Sequence, residues 1–235
     1  MGFSTSLLSV LAVGVAGTSA LFLPSGNFTF PTESGTLSAR GVQGPGQGTF
    51  DGFFWQNFVA GSFDVIFTNI AGGQYEVQWD GSGDFVVGQG FNPGSTSRVM
   101  SFSASWAPNP ASASILSVYG WSTNPLVEYY INEDANDFNL GTAASGTTHM
   151  GTVVSDGSTY DIYTHTQVNQ PSIQGTATFQ QFLSVRQNKR TSGSVTVQNH
   201  VNAWAALGMH LGTMNLQIMA VEGLSSSGQA TVTVS

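Results

Sequence analysis

From Phe53 onward the chain alternates apolar and polar residues in short runs: FFWQNF, SFDVIFTN, GQYEVQW, DFVVGQGF, RVMSFSASW, ILSVYGW, LVEYYIN, STYDIYTHTQV, GTATFQQFLSVRQ, NLQIMAVEG and QATVTVS. A period of two sends successive side chains to opposite faces of a strand. Many of the runs are rich in Val, Ile, Phe, Tyr and Thr, and Gly, Asn-Pro or Ser-Gly separates them, which is the chemistry of strands and turns. The spacing predicts antiparallel sheets packed as a sandwich or jelly roll. One stretch departs from it. Between Thr196 and Leu207, Val201, Trp204, Ala205 and Leu207 fall at helical spacing, with Ser194 or Thr196 as N-cap and Gly208 just past the end. That predicts a single amphipathic helix. After residue 48 there is no internal repeat and no second composition regime.

Two residues violate the pattern. Glu128 lies inside NPLVEYYI and Glu222 inside LQIMAVEG, both otherwise readable as buried strands. A carboxylate among Leu126, Val127, Tyr129, Tyr130 and Ile131 loses hydration or shifts its pKa upward. Charged residues are only 8% of the chain, so this pair is not overflow from an acidic composition. Either both glutamates point outward from a half-wet sheet, or they are kept for chemistry. On strand alternation Glu128 shares a face with Leu126 and Tyr130, and Glu222 with Ala220 and Ile218.

At 235 residues the chain suits one large all-β domain or two small ones. Five Lys and Arg against thirteen Asp and Glu leave no basic patch able to neutralise a phosphate backbone, so nucleic acid is excluded as a partner. Residues 1–20, MGFSTSLLSVLAVGVAGTSA, read as a signal peptide, with Thr18 and Ala20 placed for cleavage although the n-region lacks Lys and Arg. The stretch is too short and too rich in Ser and Gly for a comfortable membrane span. Secretion to the exterior, with no membrane partner, is the expectation. Cysteine is absent, so stability there rests on packing. Residues 21–45 read as a pro-segment or flexible extension, or as a terminal strand around Phe28 to Phe30, and GVQGPGQG at Gly41 to Gly48 as an exposed joint. Asn27-Phe28-Thr29 is the one glycosylation sequon. Residues 46–235 are expected to form a single catalytic domain.

Several chemistries find no support. There is no GxSxG elbow, no HExxH and no cysteine pair. His149, His165, His200 and His210 stand at spacings unlike metal ligands. The acidic stretch Asn132 to Asp137 lacks the ligand alternation of a calcium loop and reads as a solvated turn. No metal and no cofactor are expected. Two embedded glutamates plus many aromatics on a sheet are what a polysaccharide cleft requires, since rings stack on sugars and paired carboxylates act on the acetal.

The motifs LSVYGW, NPLVEYYI, VNQPSI, GTATF, SGSVTVQNHVNAWA, LGTM and AVEG, in this order from about Gly52 to Ser235, resemble family 11 glycoside hydrolases, the small endo-1,4-β-xylanases, as a divergent member. The resemblance implies a β-jelly roll of two curved, packed antiparallel sheets with a single α-helix, and a cleft for xylan. It implies a monomer that hydrolyses internal β-1,4-xylosidic bonds with retention. Glu128 matches the family's nucleophile and Glu222 its acid/base. Retention requires the two carboxyls to face each other at roughly 5 to 5.5 Å. Pro171, Ser172 and Ile173 fall on the family's thumb hairpin. Tyr119, Tyr130 and Gln181 fall where the family contacts the nucleophile or the adjacent sugar. Asp84 matches a position beside the acid/base that is Asn or Asp in the family, Asp in acid-adapted members; a turn residue is the plainer reading.

The departures are local. Phe58 stands where the family has a cleft tryptophan, which keeps stacking area but loses the indole donor. Gln167 stands for an arginine before the thumb and carries no permanent charge. Ile115, Phe138, Leu216 and Leu224 replace tyrosines expected along the cleft. These changes leave open a hydrolase retuned to another β-glycan, or a scaffold with weak turnover that binds glycan or is sensed by a plant host.

Overall fold

The computed structural model describes residues 40–235. Residues 1–20, expected to be a signal peptide, and the sequon lie outside them. The strands are β1 (Arg40–Gln43), β2 (Gly46–Phe50), β3 (Phe53–Ile70), β4 (Gln74–Phe91), β5 (Val99–Pro108), β6 (Ser114–Thr123) and β7 (Val127–Asn136). After the helical turn α1 (Leu140–Ala143) come β8 (Thr148–Ser155), β9 (Ser158–Ser172), β10 (Gly175–Arg186) and β11 (Ser192–Thr196). The helix α2 (Val197–Ala206) precedes β12 (Thr213–Leu224) and β13 (Ser227–Val234). The all-β jelly roll with one helix is borne out, α1 being a four-residue turn capped by the Asn139 side chain.

The strands run β11-β5-β13-β4-β12-β6-β7-β10-β9-β8, with β1 and β2 on β3 and β3 on β4. β4 joins the two layers. Its residues 74–80 pair with β13 and its residues 84–91 with β12, while β3 follows it from end to end. A strand that changes neighbours must turn a corner. The corner is Gly81-Ser82-Gly83, facing Gly61 across the ladder. Gly83 has φ +116° and a Cβ there would sit 2.2 Å from the Ala60 carbonyl oxygen, so only glycine fits. One pair breaks the antiparallel expectation: β7 and β10 run parallel, with Gln181 opposite Glu128. β8 and β9 intervene in sequence, and β10 returns between β9 and β7.

Alternation divides the apolar residues into two cores. Val127, Tyr129, Ile131, Phe85, Val87, Met219 and Val221 point into the main core. The opposite parity, Val86, Tyr119, Tyr130, Ile218 and Ala220, belongs to a second cluster. The faces predicted for Glu128 and Glu222 are the faces of this second cluster. Helix α2 packs Trp204 and His200 against the main core at no solvent exposure, and the Trp204 indole donates to Ser184 Oγ at 3.1 Å. Its N-cap, Thr196, does not cap with its side chain but donates to Asp156 Oδ1 at 2.8 Å.

Two sequence readings are corrected. The glycine-rich stretch is largely exposed but is not a joint: Arg40–Gln43 and Gly46–Phe50 pair with β3, so the described sheet begins inside residues 21–45. The acidic stretch is not a solvated turn either. Asn132–Asn136 continue β7, and Glu133 is fully buried, accepting from Tyr160 at 2.7 Å and from Arg190. A carboxylate with a dedicated cation can be buried within a strand, which composition alone does not reveal.

Candidate active site

On the concave side lies a cleft of about 610 Å³. Strand β7 offers Glu128 and Tyr130; β6 offers Tyr119 and Trp121; β10 offers Phe179 and Gln181. Strand β12 contributes Glu222 and Leu224, β4 contributes Asp84 and Val86, and β3 contributes Phe58. The hairpin from β9 to β10 brings Gln167, Pro171, Ser172 and Ile173 to the same space. Glu128, Glu222, Asp84 and every residue matched to the thumb or to a sugar contact thus line one cavity, brought there by strands distant in sequence.

Glu128 is 8% exposed and surrounded by donors. Tyr119 donates to its Oε1 at 2.8 Å, Tyr130 to the same oxygen at 3.3 Å, and the Gln181 amide to Oε2 at 2.7 Å. Burial raises its pKa, and the bonds from Gln181, Tyr119 and Tyr130 oppose that rise. Glu222, 4% exposed, is treated differently. Its Oε2 is buried and accepts no hydrogen bond from the protein. Burial holds its pKa well above the ordinary value, the charges of Asp84 and then Glu128 add to the effect, and a bond from Tyr130 opposes it. Asp84 is raised to about 7, by burial and then by Glu128, and its Oδ1 is likewise buried without a partner. Both carboxyls are raised, but Glu128 has three donors to its charged form, whereas Glu222 has an unbonded oxygen and a like charge beside it.

Phe58 is 36% exposed on the wall, in one cross-strand row with Val86 and Glu222. Gln167 is buried opposite Phe179 at the root of the hairpin. Of the positions expected to replace cleft tyrosines, only Leu224 lines the cavity. Ile115 and Leu216 are 1% exposed within the second apolar cluster, and Phe138 packs on it. With no hydroxyl to hydrate, these side chains sink into the cluster.

Sequence reading missed Trp121 and Phe179, whose rings meet edge to face at 4.8 Å, and the amides of Gln170, Asn92 and Asn215. Alternation from Tyr119 would have placed Trp121 on the cleft face. Pro45, Gly46 and Gln47 also line the cleft, hidden beforehand by the joint reading. Among the described residues no group of acidic, histidine or cysteine side chains could hold a metal, and no helix is long and apolar enough to cross a membrane.

The family model of glycosyl hydrolases family 11 matches residues 50–233. The chain belongs to that family. It is 50% identical over 208 residues to endo-1,4-β-xylanase 2 of Rhizopus oryzae, covering 88% of this chain and 92% of the relative. It is 49% identical over 208 residues to the ethylene-inducing xylanase of Penicillium digitatum, with the same shares of 88% and 92%. A solved endo-1,4-β-xylanase of Trichoderma reesei superposes with a TM-score of 0.69 at 52% identity, covering 77% of this chain and 97% of that one. Identity near one half makes this an ordinary family 11 glycoside hydrolase, not a divergent one. The departures at Phe58 and Gln167 are local.

Proposed function

We propose that the protein is a secreted, retaining endo-1,4-β-xylanase that cuts internal bonds of xylan by double displacement. Glu128 attacks the anomeric carbon while Glu222 protonates the departing glycosidic oxygen. Glu222, now a base, then takes a proton from water as that water displaces Glu128 and releases the sugar. The observation that carries this reading is the opposed dressing of the two carboxyls. Three neutral donors serve Glu128, whereas Glu222 keeps a buried, unbonded oxygen beside Asp84. Tyr119, Tyr130 and Gln181 hold the nucleophile, and Phe58, Gln167, Pro171, Ser172 and Ile173 hold the sugar chain. Support for the substrate comes from relatives named as endo-1,4-β-xylanases. Secretion rests on residues 1–20, and a monomer without cofactor or nucleic-acid partner remains the expectation.

The test is a reducing-sugar assay on xylan beside other β-glucans, with Glu128→Gln as control, and proton NMR of the first-formed anomer. Release of β-anomer from xylan alone supports the reading. α-Anomer, or preference for another glucan, overturns the mechanism or the substrate. A second reading, recognition by a plant host, is favoured by relatives named ethylene-inducing xylanases. Ethylene release provoked equally by Glu128→Gln would separate that property from turnover.

A further inference from the structure

One of the three donors on Glu128 is itself held, by a group outside the predicted site. Trp121 Nε1 lies 2.6 Å from the Tyr119 hydroxyl oxygen, and that hydroxyl lies 2.8 Å from Glu128 Oε1. Trp121, Tyr119 and Glu128 are 3%, 4% and 8% exposed, so solvent does not replace these bonds freely. Pairing of β6 with β7 sets Trp121 directly opposite Glu128 and Tyr119 opposite Tyr130. The far edge of Trp121 is fixed by the Phe179 ring.

The direction of this chain follows from what each group can do. An indole N–H only donates. The Tyr119 oxygen must therefore accept from Trp121, and its single proton is left to point at the carboxylate. Were Glu128 protonated, its proton would face the Tyr119 O–H if it sat on Oε1 or the Gln181 amide N–H if it sat on Oε2, and either way it would meet a donor. Accepting a bond also makes Tyr119 a better donor, since linked hydrogen bonds polarise one another. The effect opposes burial and the neighbouring carboxyls: Asp84 on β4 and Glu222 on β12 carry like charge when ionised, and burial disfavours charge. Tyr130 on β7 and the neutral Gln181 on β10 act in the same sense as Tyr119.

We propose that Trp121 is a positioning residue that fixes the Tyr119 proton toward Glu128 and so keeps Glu128 in its ionised, attacking form. This deepens the reading of Glu128 as nucleophile and rests on it. Trp121 touches the reacting carboxylate only through Tyr119, and its second task is to carry Phe179 at the base of the thumb hairpin.

The experiment is Trp121→Phe, which removes the donor and retains a ring against Phe179. Site-resolved titration of the Glu128 carboxyl by carbon-13 NMR, assigned against Glu128→Gln, reads the carboxyl without any substrate. The midpoint should rise by about 0.2 to 0.5 pH unit, the scale of cooperative strengthening of one bond in a chain. The acidic limb of kcat/KM on xylan should rise with it, and the alkaline limb should stay. In a Tyr119→Phe background the same substitution should leave the midpoint unmoved. An unchanged midpoint with uniformly lowered activity would make Trp121 a packing residue and overturn the proposal. So would a shift that persists without the Tyr119 hydroxyl. If xylan is not turned over at all, the NMR arm still decides the role of Trp121, while the proposed function fails separately.

Discussion

Replacing Asp84 by asparagine tests the electrostatics of the cleft most directly. In the folded chain the carboxyl is raised from 3.8 to about 7, by burial first and by the Glu128 charge second. In the unfolded chain it ionises near its ordinary value. The sign follows from linkage. Below pH 3.8 both states hold the proton, and Asp84 costs nothing. As pH rises from 3.8 to about 7 the unfolded chain releases its proton and the folded chain keeps it, so stability falls throughout that window. A shift of about three units corresponds to at most about 4 kcal/mol, a ceiling because Asp84 borders an open cleft. For a domain of this size each kcal/mol moves Tm by about 2 to 4 °C.

Asparagine keeps the shape and removes the ionisation. Thermal unfolding of both forms at closely spaced pH values from 3.5 to 8 should therefore show nearly equal Tm at the acid end. The variant should gain steadily through neutral pH, ending several degrees above the parent. Activity adds a second arm. On the proposed mechanism turnover needs Glu222 protonated while Glu128 is ionised, and only a protonated Asp84 is able to donate to the unbonded Oε2 of Glu222. Asparagine leaves Glu222, still raised by burial and by Glu128, to set the alkaline limit, so that limb of the rate profile should move up. A constant Tm difference at all pH values would show that Asp84 is no more ionisation-sensitive than a turn residue, and an unmoved alkaline limb would remove its role in the acid step.

Other expectations are as direct. Glu128→Ala should abolish turnover, with azide restoring cleavage and giving inverted product, whereas Glu222→Ala should spare substrates with good leaving groups; identical behaviour of both variants would refute distinct roles. Gln167→Arg combined with Phe58→Trp should raise kcat/KM on plain xylan, since a charge and an indole donor are added to the cleft; a gain confined to another glycan would point to retuned specificity. His200 is buried with both ring nitrogens unpartnered, and burial depresses its pKa from 6.5 to about 4. Its unfolded form takes a proton first as pH falls from 6.5 to 4, so stability is lost across that window, and unfolding midpoints of His200→Phe should show a smaller acid loss than those of the parent.

What the sequence made legible was what depends on period and on local chemistry. Alternation placed Glu128 with Tyr130 and Glu222 with Ala220 on the faces they occupy, and the helical stretch ended at Gly208, which has φ +78° as a residue after a helix should. Less legible was whatever depends on which strand lies beside which. No local pattern says that β10 returns parallel to β7 and so brings Gln181 to Glu128. Glycine in GVQGPGQG suggested a joint because glycine weakens strands, yet its strands are held by pairing to β3 and so wall the cleft. Ile115 and Leu216 looked like cleft positions because tyrosines were expected there, but apolar side chains at those places bury themselves.

Burial of a glutamate is not by itself a sign of chemistry in this fold. Glu128, Glu133 and Glu222 are all buried. Glu133 is satisfied by Arg190 and Tyr160, and its neighbour Arg186 bonds Tyr160 and the Asp156 carbonyl. Burial raises the pKa of Glu133 too, but Arg190 and Tyr160 oppose that rise, and the carboxylate is committed to a permanent cation. Around Glu128 and Glu222 the cleft offers amides, phenols and a third carboxyl, and among the described residues no Lys or Arg lines it. Arg98 bonds Gln217 and Lys189 the Ala135 carbonyl. Neutral donors stabilise an anion without forbidding its loss, which is the condition a nucleophile and an acid/base must both meet during a double displacement. The partner a buried carboxyl is given, cation or neutral donor, thus separates the ion-paired glutamate of β7 from the proposed nucleophile five residues before it.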